Sequence, residues 1–486
     1  MEPMDRLDQN YINAIRFLYE RINYEKTVDR PYDQQSYRLA RMEFLLQQLD
    51  NPQLAAPVIH VAGTKGKGSV SWLIAETLRR SGHSVGLYTS PHLLHLEERF
   101  IVDGRPCSPT ELGVHIASLK AAEAVTAASS HGAPTFFEMT TALAWTLFAA
   151  RKTNVNVVEV GLGGRLDSTN VCVSSLAIIT SISFDHQQQL GNTIPLIAGE
   201  KAGIIKSRVP VISGARHPEA QSVIRNRCRE TKSELWELGV DFDTAIRTQS
   251  LWNDSQQSAK YPVASRMDFI PLTPNLPLTN FHDLAIRMAG KHQSDNAAIA
   301  IAAWHRLNAD GWSLPRTAVT EALAETQLSC RVELVSTRPA VVIDTSHNVA
   351  SIEAMIVALN DHFAPSKKTV VFACSKDKEF EKMLDRLLSY ADRLIVTQFH
   401  NNPRSVPVER LEELAREKAD LSRSVEILSA PSSKIAVEHA CRSAVPNELV
   451  CVTGSFFLAA ETRPMFSNDV ANAETKNKEL NHGQIY

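Results

Sequence analysis

Short apolar runs without polar alternation recur through the first half of the chain, at residues 57–61, 85–88, 155–160, 176–182 and 209–212. Between them lie segments with apolar positions three and four apart, such as Val70, Leu73, Ile74, Thr77 and Leu78, closed by Gly82, and the stretch 137–150. Strands apolar on both faces and separated by helices predict a parallel sheet covered on both sides. From 238 to 284 the periodicity weakens and Pro262, Pro271, Pro274 and Pro277 punctuate the chain, which predicts loops or a small β excursion. A helix resumes near His292. After Ser329, further apolar runs at 340–344, 369–374, 393–398, 425–428 and 449–453 alternate with helical patterns and predict a second α/β domain.

Composition narrows the function classes. The chain has 486 residues, 44% hydrophobic and 22% charged, which excludes disorder as its main state and gives room for two or three cores. A formal net charge of −3 provides no bulk footprint for nucleic acid or an anionic membrane, so any phosphate must be held locally. The most apolar helical candidate, 141–150, carries Thr146 and falls well short of the roughly 18 residues a spanning helix needs. The acidic, polar start, Met1-Glu2-Pro3-Met4-Asp5, has no secretory pattern, and the seven cysteines include no C-x-x-C pair. A cytoplasmic location is expected, without a disulfide framework or a zinc site.

Candidate chemistry starts at Gly63-Thr64-Lys65-Gly66-Lys67-Gly68-Ser69, between the first strand and its helix. In that position backbone N–H groups and the positive helix end can cradle a polyphosphate. Lys67 would reach the β/γ-phosphates, and Ser69 or its neighbours would lie near Mg²⁺. The string departs from G-x-x-x-x-G-K-[ST], with Val61 at the first position and Gly68 inserted between Lys67 and Ser69. Glu159 stands out next, a carboxylate among Val155, Val157, Val158 and Val160, where a charge is costly unless it is paired or on a metal. A salt bridge to Arg165 is its structural alternative. The expected fold is α/β, a phosphate-loop-type, mostly parallel sheet domain followed by a smaller Rossmann-like domain. Its expected boundaries are 1–328 and 329–465, with a disordered tail at 466–486.

The loop variant, followed by Tyr88-Thr89-Ser90-Pro91-His92, resembles the folylpolyglutamate synthase and dihydrofolate synthase family of the Mur ligase superfamily. The likeness continues through Phe136-Phe137-Glu138, the string from Val158 to Asn170, Asp185-His186 and the string from Glu200 to Lys206. In the second half it includes Asp344-Thr345-Ser346-His347-Asn348 and Thr453-Gly454-Ser455, so that it spans roughly residues 35 to 460. The first domain would then be the ATP-binding central domain and the second the glutamate-ligase domain.

The resemblance implies site roles. Lys65, Gly66, Lys67, Gly68 and Ser69 would bind ATP together with Arg331, Asp344 and, near the adenine, Asn296. Ser90, Glu159 and His186 would hold Mg²⁺, and a carbamylated Lys201 would assist a second Mg²⁺. His347 would contact nucleotide or act in catalysis, beside Lys67 and Lys201. Thr135, Phe136, Phe137 and Glu138, with Leu166, Asp167 and Ser168, would line the folate pocket. The family's Pro-Gly before the arginine is Ser329-Cys330 here, and Gly-Ala inside the Asp-x-x-His string is Thr345-Ser346.

The implied reaction is ATP-dependent ligation of L-glutamate to a reduced folate or dihydropteroate through an acyl phosphate. A monomer acting on small molecules, with its active site in the interdomain cleft, is expected. A cell-wall Mur ligase would need a further N-terminal domain, yet the first strand begins near residue 57. A non-catalytic P-loop nucleotide-binding protein would have no use for the second α/β domain, and no [NT]-K-x-D string is present.

Overall fold

The computed structural model describes residues 3–23, 39–251, 263–400, 402–419 and 425–466. All of the expected tail beyond Phe466 lies outside the described residues. Two compact units emerge, the first formed by Met1–Ala245, Asp268–Leu284 and Ser294–Leu323, the second by Ile246–Met267, Ala285–Gln293 and Ala324–Tyr486. The division at 323/324 falls near the boundary expected at 328/329. The two short excursions into the second unit had no counterpart in the periodicity.

The first unit holds an eight-stranded sheet built from β1 (Val58–Ala62), β2 (Val85–Tyr88), β3 (Phe100–Val102), β4 (Arg105–Pro106), β5 (Val155–Glu159), β6 (Ser174–Ile179), β7 (Val211–Ser213) and β8 (Leu235–Glu237). Its order is β4-β3-β2-β5-β1-β6-β7-β8. β2, β5, β1, β6, β7 and β8 run parallel, and β3 and β4 add an antiparallel edge. Every residue of β1 and β5 is buried, as expected for strands covered on both faces. The helix Phe136–Arg151 packs its apolar side chains with Tyr88, Phe100 and Val158 on one face. The helix Ile194–Ala202 joins Ala62, Val160 and Ile179 in a second cluster.

The predicted excursion is a three-stranded sheet of β9 (Phe242–Thr248), β10 (Ser265–Pro271) and β11 (Phe281–Ile286). In the second unit, β12 (Glu333–Thr337), β13 (Ala340–Ile343), β14 (Lys367–Phe372), β15 (Arg393–Val396), β16 (Glu426–Ser429) and β17 (Glu448–Thr453) form a sheet ordered β12-β13-β17-β14-β15-β16. Five of these strands match the predicted runs and are parallel, while β12 pairs antiparallel with β13. β12 has no buried residue, so it lacked the apolar signal that marked the others.

Candidate active site

The ends of β1, β2, β5 and β6 meet at the carboxyl edge of the first sheet, where open α/β sheets bind ligands. β1 runs into Gly63 and the helix Lys67–Arg80, whose first residues close the phosphate loop. Four consecutive residues, Lys65 to Gly68, are partly exposed between buried flanks, so the chain presents this short segment to solvent. Gly66 caps the helix with φ 85°, a left-handed conformation that disfavours a Cβ. The strand end after β6 braces the loop. Thr64 N donates to Ser181 O at 2.7 Å, Lys65 N to Ser181 Oγ at 3.0 Å, and Thr180 Oγ1 to Lys65 O at 2.6 Å.

Two lysines converge on one carbonyl. Lys67 Nζ lies 3.2 Å and Lys201 Nζ 2.9 Å from Gly63 O. Lys201 is buried, and desolvation together with the nearby Lys67 charge pulls its pKa down to about 7. Lys65 is instead paired with Asp185 at 3.3 Å. Asn296, in the helix His292–Ala309, presses its amide against the loop, since a Cβ on Gly66 would come within 2.3 Å of its Oδ1.

Glu159 ends β5 beside Val61 of β1 and is 5% exposed. Its Oε2 accepts from Ser90 N at 3.3 Å, and a Cβ on Gly68 would sit 3.6 Å from that same oxygen. The carboxylate thus faces both the phosphate loop and Ser90. Arg165, its alternative partner, pairs with Glu200 at 2.8 Å. Carboxylate and hydroxyl oxygens are the hard donors Mg²⁺ prefers, so this pair fits that ion. His186 stands apart in burial, with its side chain 49% exposed and at 3.9 Å from Asp185. No group of three His, Cys, Asp or Glu side chains suited to a metal occurs among the described residues.

The stretches expected to line a folate pocket lie in the same unit, and most of their side chains are committed to the protein itself. Thr135 and Glu138 form a capping box at the start of the helix Phe136–Arg151. Glu138 also takes two hydrogen bonds from Arg41 Nε, at 2.9 and 3.0 Å, in a buried pair. Phe136 is core, stacked on Tyr19 at 5.1 Å. Asp167 braces its own loop, accepting from Leu162 N at 2.9 Å and Thr169 N at 3.0 Å, while burial pushes its pKa up. Ser168 Oγ lies 3.0 Å from Thr141 Oγ1, and Leu166 is buried. Phe137 keeps a partly exposed ring, packed so closely over Gly161 that a Cβ there would approach it to 2.4 Å. Of the residues expected to line that pocket, Phe137 is the aromatic with a partly exposed side chain.

In the second unit, Arg331 is exposed and its guanidinium lies 5.3 Å from the ring of Phe456, while the His347 ring is 5.4 Å from the same ring. His347 Nδ1 bonds Thr345 O at 2.9 Å. Asp344 is buried and serves its surroundings, accepting from Val332 N at 2.9 Å and from Ser346 N at 2.8 Å. Arg331 sits between Cys330 (φ 55°) and Val332 (φ 46°), both left-handed. Cys330, where the resemblance leads one to expect glycine, thus holds a conformation that glycine adopts more readily, and Asp344 helps to hold this arch through Val332 N.

Sequence reasoning missed Phe456, Arg41 and the Thr180-Ser181 brace. Phe456 directly follows the 453–455 string, a cue available in the sequence. Arg41 and Thr180 gave no local signal because their roles depend on distant partners.

Together, the phosphate loop at a parallel-sheet edge and a separate second α/β unit define an ATP-dependent ligase of the Mur class. The Mur ligase middle domain model matches residues 61–304, and the model of the Mur ligase glutamate ligase domain matches residues 330–456. The chain is 32% identical over 427 residues to a dihydrofolate synthase/folylpolyglutamate synthase of Bacillus subtilis, covering 87% of this chain and 94% of that protein. Among solved structures, a Mycobacterium tuberculosis folylpolyglutamate synthase complexed with ADP and AMPPCP matches with a TM-score of 0.80 at 27% identity, over 95% of this chain and 99% of that one. FolC of E. coli in complex with DHPP and ADP matches with a TM-score of 0.76 at 27% identity, over 95% and 98%. The chain belongs to the folylpolyglutamate synthase/dihydrofolate synthase family. No helix among the described residues is long and apolar enough to cross a membrane.

Proposed function

We propose that this chain, acting as a monomer, joins L-glutamate to a reduced folate or to dihydropteroate at the expense of ATP. The observation that carries the reading is the convergence of Lys67 and Lys201 on Gly63 O, with Glu159 facing Gly68 on one side and accepting from Ser90 N on the other. Relatives that match nearly the whole chain are named for this activity, and one solved relative holds DHPP with ADP.

The acceptor carboxylate attacks the γ-phosphorus of ATP, the bond to ADP breaks, and an acyl phosphate forms. The amine of L-glutamate then attacks the acyl carbon, phosphate leaves with the C–O electron pair, and the nitrogen loses a proton. Phosphoryl transfer asks chiefly for positioning and charge neutralisation. The loop amides of residues 65–69 and the Lys67 ammonium bind and orient the polyphosphate, and Asn296 supports the loop at Gly66. Glu159, Ser90 and His186 would hold Mg²⁺. An ion held there would supply charge neutralisation at the phosphoryl oxygens. Arg331, Asp344 and His347 serve the nucleotide, Arg331 as the cation and Asp344 as the brace of its loop. Phe137, with the loop 166–168, receives the flat heterocycle.

Lys201 has the chemistry of a carbamylation site assisting a second Mg²⁺. A lysine with its pKa near 7 is partly neutral at physiological pH, and the neutral amine is the form that adds CO₂ with loss of a proton. The remaining N–H of the carbamate can still donate to Gly63 O.

Phosphate release from Mg-ATP and L-glutamate tests the proposal, with dihydropteroate, tetrahydrofolate or no acceptor. Release that requires one acceptor supports the reading and identifies the substrate; release indifferent to both refutes it. Lys67→Ala should abolish the acceptor-dependent release.

A further inference from the structure

His60 lies mid-strand in β1 with no exposed surface, three residues before Gly63, and the ligation chemistry leaves it without a task. Its Nε2 is 2.8 Å from Thr169 Oγ1. Thr169 spends its single hydroxyl proton on Asp167 Oδ1, at 2.5 Å. The bond between imidazole and hydroxyl is therefore donated by Nε2–H, which leaves Nδ1 as an acceptor 3.8 Å from the Cys172 thiol. Burial, assisted by the Lys206 charge, keeps this imidazole neutral, with its pKa pulled down to about 3. One tautomer is thus fixed, in a chain running Cys172, His60, Thr169, Asp167.

The chain ends on the loop 161–172. Asp167 gathers the N–H groups of Leu162 and Thr169, so the hydroxyl that His60 supports is also the hydroxyl that orients this carboxylate. The far side of the same loop is clamped independently, as Lys206 Nζ donates to Asn170 O at 2.6 Å. A core-filling residue would need only volume, which leucine supplies without a buried polar group to satisfy. A histidine here joins the strand that delivers the phosphate loop to the loop carrying Leu166 and Ser168.

We propose that His60 is a positioning residue for the acceptor substrate, holding the loop 161–172 in its binding shape through Thr169 and Asp167. This rests on the reading above that residues 166–168 line the acceptor site.

Steady-state kinetics of the full chain test it, with acceptor and Mg-ATP varied separately. His60→Leu leaves the Thr169 oxygen without its donor, and a lost buried hydrogen bond of this kind should raise the acceptor KM about tenfold. The ATP KM should stay within about twofold, because the loop amides and Lys67 are untouched. His60→Gln, whose amide N–H can stand where Nε2–H stood, should restore most of the acceptor KM. Thr169→Val removes the same bond from its other end at nearly constant volume, and should reproduce the effect if His60→Leu does not fold. The double variant should then cost no more than either single change. An acceptor KM unchanged in both single variants, an equal rise for ATP and acceptor, or no rescue by glutamine overturns the proposal. A wild-type enzyme active with a folate acceptor makes those outcomes a failure of the positioning role alone, whereas an inactive wild type overturns the parent reading and this proposal together.

Discussion

Lys201 occupies an environment that its residue type disfavours. Its ammonium is buried, donates to Gly63 O and lies near the Lys67 charge, and its pKa falls from 10.5 to about 7. The sign of the linkage follows. Between pH 7 and 10.5 the unfolded chain binds a proton at this lysine that the folded chain lacks, so stability rises with pH through that window. Below pH 7 the folded state carries the full cost of the buried charge. Lys201→Met removes the titration. In CO₂-free buffer, its advantage over wild type should shrink by up to about 1.4 kcal/mol per pH unit from pH 7 upward, read by denaturant unfolding at several pH values. A difference independent of pH would show that the lysine is not held neutral by burial. With ¹³C-bicarbonate added, wild type should also give a carbamate carbon resonance that Lys201→Arg lacks. None of this was legible locally. The sequence shows a lysine opening an apolar segment, and burial depends on where the helix Ile194–Ala202 packs.

At the scale of elements, the reverse holds for the phosphate loop, where strand, glycines, lysines and helix are contiguous and their arrangement could be read directly. The two glycines of positive φ carry different constraints. Gly63 approaches Thr180 so closely that a Cβ would fall 1.9 Å from Oγ1, and Gly66 would meet the Asn296 amide at 2.3 Å with φ 85°. Gly66→Ala therefore suffers both a steric clash and backbone strain of about 1–2 kcal/mol. Mg-ATP affinity should fall roughly tenfold or more, measured by calorimetric titration. Adding Asn296→Ala should recover part of that loss, since it removes the clash and leaves the strain. Full recovery, or none, would mean that one of the two constraints is absent. The parallel strands were also legible, because burial on both faces leaves an uninterrupted apolar run. β12 and the β3-β4 edge were not, being short or only partly covered. The pocket stretches were legible as strings but not as roles. Whether Glu138 meets a ligand or Arg41 is decided by a partner 97 residues away.

For the whole molecule, the interleaved chain path means that each unit contains pieces that the linear order does not suggest, and each should respond to acid through its own buried groups. In the first unit His60 and His305 are both neutral when folded, with pKa values pulled to about 3 and about 4 by burial. His305 Nε2 accepts from Thr279 N at 3.3 Å, and its ring is enclosed by Phe269, Phe281 and Trp304. Because the unfolded chain protonates these rings near pH 6.5 and the folded chain does not, stability is complete above pH 6.5 and is lost as pH falls toward 4. Each ring contributes at most about 1.4 kcal/mol per pH unit. The second unit has His362, also shifted downward by burial, with Nε2 accepting from Gly290 N at 3.1 Å and Nδ1 bound to Gln249 O at 2.8 Å. Protonating His362 removes the acceptor that anchors the 285–293 excursion. Of the six tryptophans, Trp72, Trp145, Trp236, Trp304 and Trp312 belong to the first unit, so tryptophan fluorescence follows chiefly that unit. Its urea midpoint should decline steeply between pH 6.5 and 4, and His305→Gln, which cannot take up a proton, should flatten the decline by about one ring's share. Far-UV circular dichroism should show a further transition from the second unit, unaffected by His305→Gln and altered by His362→Gln. Identical shifts of both transitions by either variant would show that the two units unfold as one.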